Sequence, residues 1–136
     1  MSTVADKNLG LSWLLRYLLP GLLFWVPLFI SMYFAFTSRE HSITTSYSDV
    51  VLHGFAFTYL TATLGLSHFR SVGMYLPAMW MMGYAFLIEG VQYFLPARNF
   101  ELGDIGVDVV GILFGLLLLR TIIFPLVGRL LQRPAK

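Results

Sequence analysis

The stretch FLIEGVQYFLPARNFELGDIGVDVVGILFG (86–115) sets Glu89, Gln92, Arg98, Glu101, Asp104 and Asp108 into the most apolar part of the chain. Four of the seven acidic residues lie here. The nearest imidazole of comparable setting is His53, four residues after Asp49 in SDVVLHGFAFTYL (48–60). Carboxylates gathered with an imidazole offer proton transfer or hard oxygen ligation. An arginine beside them pairs bidentately with carboxylates or grips other anions.

Each specific chemistry meets an objection. Asp49, His53, Glu89, Asp104 and Asp108 would suit Mg²⁺, Mn²⁺ or Zn²⁺. However, no fixed motif such as His-Glu-x-x-His is present, so no metal is assigned. Haem is rejected: His68 lies fifteen residues after His53, about 22 Å along a helix, and His41 sits in a polar loop. No other cofactor is implied. Ser31, Ser42 and Ser48 lack a nucleophile elbow, and the absence of cysteine removes thiolate chemistry and disulfides. His53 with a carboxylate would allow hydrolysis, but nothing selects it.

The setting explains why these residues stand out. Apolar residues make up 57% of the 136 and charged residues 12%, about half the share in a soluble domain. Mean hydropathy is +0.75. The sequence predicts an all-α integral membrane protein, 1–136 forming one transmembrane domain. Spans are expected over about 17–36, 49–66, 74–94 and 105–124, as an antiparallel four-helix bundle. The breaks TSREHSITTSYS (37–48), SHFRSVG (67–73) and PARNFELG (96–103) are rich in turn formers and charge. The first apolar run is read as a retained span, with Trp13 and Arg16 at an interface.

Four spans place both termini on one side. Lys7, Arg16, Arg70, Arg120, Arg129, Arg133 and Lys136 then fall on that side, against Arg39 and Arg98 opposite. The positive-inside bias predicts cytoplasmic termini. Scattered basic residues therefore report topology, and no nucleic-acid partner is expected. The tail GRLLQRPAK fits attraction to anionic lipid head groups.

That topology brings the polar residues to one depth. Asp49 and His53 open the second span, Glu89 and Gln92 close the third, and Asp104 and Asp108 open the fourth. Each pair shares a helix face by its spacing. Gly111 and Gly115 continue the Asp104–Asp108 stripe as a small-residue seam, which lets another helix approach closely. The stripe is expected to face protein, because charge is costly in hydrocarbon.

On these residues the chain resembles the VanZ-like family of small bacterial membrane proteins. Glu89, Gln92, Pro96, Arg98, Asp104, Gly111 and Gly115 match the family pattern in order and spacing. Asp49 and His53 give a weaker second match, and together the two cover about half the chain. The chain departs at Val50, where the family usually has lysine, at Phe57, where it has tyrosine, and at Asp108, where it has asparagine. The family is named for a protein linked to reduced susceptibility to a glycopeptide antibiotic. The resemblance implies a multi-pass protein of the bacterial cytoplasmic membrane with an envelope role and a shared polar site, and supplies no reaction.

Three readings of the cluster stay open. It is structural glue joining helix ends, a ligand or proton-handling pocket, or an enzyme site. In the pocket reading Arg98 holds an anionic group, Glu89 and Asp104 orient Arg98, and His53 and Gln92 add hydrogen bonds. Partners are then membrane lipids. In a subunit reading they are neighbouring membrane proteins held by the glycine seam or by MYLPAMWMMGYAF (74–86). That methionine-rich and aromatic run would also suit contact with a quinone or pigment, but reads first as lipid-facing or packing surface.

Overall fold

The structure, a computed structural model, describes residues 18–36, 46–68, 73–95 and 102–131. These form helices α1 (Leu19–Phe36), α2 (Ser46–Ser67), α3 (Tyr75–Tyr93) and α4 (Leu102–Leu118), the last continued by a π-helical turn (Leu119–Ile123) into α5 (Phe124–Leu131). Among the described residues there is no strand. The side chains of residues 46–49 and 131 are not described.

Proline explains where the helices bend or begin. Pro20 and Pro77 stand in first turns, where their missing N–H groups have no intrahelical partner to lose. Pro125 cannot donate to the carbonyl of Thr121. The π turn lies immediately before it, and the Phe124 N–H reaches back to Leu119. Pro27, inside α1, strips the carbonyl of Leu23 of its helical donor. The hydroxyl of Tyr59, from α2, donates to that carbonyl at 2.9 Å. Tyr59→Phe should therefore cost about 1–3 kcal/mol, the penalty of an unsatisfied carbonyl away from water. In a Pro27→Ala background the new N–H should reduce that cost towards zero. Thermal unfolding of the four variants in detergent checks it, and equal costs in both backgrounds would contradict it.

Three helices are long and apolar enough to cross a membrane: Leu19–Phe36, Val50–Ser67 and the continuous rod Leu102–Leu130. Their apolar side chains face mostly outward, and only 6% of the first window is buried. Inside lie the polar Thr61, Glu89, Gln92 and Asp108. Such a surface suits lipid, and the chain is a multi-pass membrane protein. The fourth expected span, α3, has 19 residues. Glu89, Gln92, Pro77, Trp80 and three tyrosines lower its hydropathy, so it is not among the three. The last rod runs past the expected end of its span because the π turn absorbs Pro125.

Contacts give the arrangement. The closest interface joins α2 and α4, and its partners ascend together: His53 with Asp108, Thr58 with Gly111, Thr61 with Gly115 and Gly65 with Leu119. These two helices are parallel. Ser31 meets Tyr84 and Ala35 meets Gln92, so α1 and α3 are parallel as well. Phe24 of α1 meets His68, just past the end of α2, so those two helices run opposite ways. Successive helices alternate as the loops require, yet the tightest packing is between like directions.

Small residues make that packing close. A Cβ on Gly111 would lie 2.8 Å from the carbonyl oxygen of Gly54. One on Gly115 would lie 2.6 Å from both the carbonyl oxygen of Thr58 and the Cβ of Thr61. Thr58 Oγ1 donates to Gly54 at 2.7 Å and also across to the Gly111 carbonyl at 3.1 Å. The apolar core continues from this seam through Phe57, Leu60, Leu64, Met81, Ala85, Ile88 and Ile112 to Phe24.

Candidate functional site

Helix α4 buries Asp108 completely, and α2 brings His53 against it: Nδ1 lies 3.0 Å from Oδ1. Thr58 and Gly111, one turn further, hold the two backbones close enough for this pairing. With Asp108 ionised, Nδ1–H donates to it, and Nε2 is the second ring nitrogen, an acceptor in the neutral ring and a donor in the protonated one. Phe57 lies nearly parallel to the imidazole, with centroids 6.5 Å apart. Asp104, half-buried one turn above Asp108, and Glu89, 1% exposed on α3, lie within electrostatic reach of the ring. Among the described residues Asp108 Oδ2 has no hydrogen-bond partner.

Gln92, 2% exposed, turns elsewhere. Its Nε2 donates to the carbonyl of Ala35 at 3.1 Å. That carbonyl belongs to the last turn of α1, where no helical N–H reaches it. The amide thus ties α3 to the end of α1. Lower on the same two helices, Ser31 Oγ donates to Leu28 at 2.8 Å and meets the Tyr84 hydroxyl at 2.9 Å. The Tyr84 hydroxyl also lies 3.4 Å from the Leu28 carbonyl, so both hydroxyls converge on that acceptor.

His53, Gln92, Ser31 and Tyr84 line one cavity of about 310 Å³, walled otherwise by apolar side chains such as Leu60 and Ile88. The imidazole is the partition: Asp108 holds it at Nδ1, and the ring borders the cavity. Ser31 and Tyr84 belong to this site, and sequence reasoning did not place them there. Ser31 stands in no nucleophile elbow, and Tyr84 is one aromatic in a run of aromatics. Their signal was polarity in mid-span. Of the other expected residues, Arg98 and Glu101 lie outside the described residues, and Asp49 is placed in α2 by its backbone alone. The pairing of Arg98 with Glu89 or Asp104 lies outside them too.

Gly111 and Gly115 do not line this cavity. Both face α2 within the same chain.

The chain matches no family model, no curated protein and no solved structure. No group of three or more histidine, acidic or cysteine side chains is placed to hold a metal ion among the described residues. What the geometry offers is a fixed imidazole, two hydroxyls and an amide around a cavity with apolar walls. Such a lining orients a polar group by hydrogen bonds while the walls exclude water.

Proposed function

We propose that the chain is a VanZ-like protein of the bacterial cytoplasmic membrane that binds the polar head group of an amphiphile. The ligand is a membrane lipid or an envelope precursor. One observation carries the reading: four polar side chains from three helices converge on a single cavity inside a protein whose outer surface is apolar. Structural glue alone requires partners for these groups and does not require space between them. In this reading all four helices cross the membrane, α3 included, because its polar residues are turned inward. Both termini are cytoplasmic, and the cavity lies in the outer half of the bilayer. Arg98 would reach the ligand's anionic group from the outer loop, oriented by Glu89 and Asp104. No chemical step is assigned.

A non-catalytic subunit of a larger membrane complex is the second reading. A groove of about 580 Å³ on the outer side of α2 and α4 favours it, lined by Gly54, Gly103, Gly106 and apolar residues such as Phe114. A partner helix would find small residues there. Extraction in a gentle detergent separates the two. The head-group reading expects retained lipid, and a co-purifying protein without lipid would favour the subunit. Orientation is checked in intact cells: a cysteine at Asn99 should react with an impermeant thiol reagent, and labelling at Ser71→Cys instead would reverse it.

A further inference from the structure

A second, larger cavity of about 610 Å³ lies lower between α1 and α3 and is almost wholly apolar, with Phe24, Trp25, Leu28, Met79 and Leu87 among its walls. Tyr84 borders both cavities. Leu60 of α2 lines the upper one and Leu64, one turn on, the lower. The two adjoin at Tyr84, whose hydroxyl meets Ser31 across α1 and α3. The lower gap is open on its outer side, where Trp25, Met79, Trp80 and Leu87 are exposed.

We propose that this gap holds the hydrocarbon tail of the same ligand, so that the site takes a single-chain amphiphile lying along α1 and α3. The inference rests on the head-group reading. The head sits beside His53 and Gln92, and the tail runs past Tyr84 towards Trp25 and His68. Polarity fixes this direction, since the upper part supplies the hydrogen-bonding groups and the lower part supplies hydrocarbon. Length agrees: Ala35 to Phe24 spans eleven residues, about 16 Å at 1.5 Å per residue, close to half of a hydrocarbon core of about 30 Å. A tail confined to one leaflet fits that span. The unbranched, polarizable Met79 and Met81 suit walls that adapt to a flexible chain. A chain in this gap has α1, α3 and the Leu64 turn of α2 on three sides and bilayer on the fourth, and gains more dispersion contact than lipid on a single helix face.

Two glycines of α3 make the test. Gly83 lines the lower cavity, and a Cβ added there meets nothing within 4 Å. Gly83→Leu should thus fill the tail space without an internal clash. Gly90 is equally open and lines none of the three cavities described, so Gly90→Leu is the matched control. The probe is a lysophospholipid with a brominated acyl chain, titrated into purified protein in a maltoside detergent. Bromine quenches the fluorescence of Trp25 and Trp80, and a Trp13→Phe background removes the remaining tryptophan. Saturable quenching is expected, weakened at least tenfold in apparent affinity by Gly83→Leu and unchanged by Gly90→Leu, with all variants unfolding at similar temperatures. Quenching that never saturates, or that is the same in Gly83→Leu, overturns the proposal. His53→Asn, run alongside, separates the two ideas. Weakening by His53→Asn alone overturns the tail placement and leaves the head-group reading standing. Weakening by Gly83→Leu alone overturns the head-group reading on which it rests.

Discussion

Gly115→Leu should destabilise the protein by about 3 kcal/mol or more, at or beyond the upper end of ordinary overpacking. Even the first added carbon would lie 2.6 Å from a backbone oxygen of α2, and backbone cannot rotate aside as a side-chain tip can. The rest of the leucine would force α4 away from Thr58 and Thr61. That movement would also break the Thr58–Gly111 hydrogen bond and draw Asp108 away from His53. Gly115→Ala should fall between leucine and wild type. Gly106→Leu, on the same helix but with no atom within 4 Å of its added Cβ, should stay within about 0.5 kcal/mol. Thermal unfolding in detergent reads all three. Equal midpoints for Gly115→Leu and Gly106→Leu would mean that the α2–α4 seam does not exist as described.

Half of that seam was legible from the chain. Asp104, Asp108, Gly111 and Gly115 announce one face of α4 by spacing alone. The matching stripe on α2, Gly54, Thr58, Thr61 and Gly65, has the same spacing and could have been read in the same way. Small residues carry no chemistry of their own, whereas His53 on the neighbouring face does. The sequence also put the polar residues at one depth without choosing which carboxylate His53 would meet. Rotation of each helix about its axis decides that, and close glycine packing sets the rotation. The partner of Gln92 left no trace because it is a backbone carbonyl, common to every residue. The cavities were invisible for a related reason: a gap between helices is made by what does not touch. Helix α3 carries its polarity inside: the buried Glu89 and Gln92 lower its mean hydropathy and leave it outside the three apolar helices.

His53→Ala should cost about 2–3 kcal/mol, because it removes the hydrogen bond to a carboxylate with no access to solvent. A double His53→Leu, Asp108→Leu variant should recover much of that loss, since replacing a buried polar pair with apolar groups is far cheaper than breaking it. Those changes measure the pair's structural worth and are silent about ligand. His53→Asn separates the two roles. An asparagine amide can still donate to Asp108 from near the position of Nδ1, so the fold should be largely kept. It has no counterpart to Nε2 and no ring bordering the cavity. The deciding measurement is therefore lipid retained per protein after gentle-detergent extraction, compared between wild type and His53→Asn at matched thermal stability. Head-group binding predicts at least a tenfold loss of retained lipid in His53→Asn, and equal retention in the two proteins would contradict it.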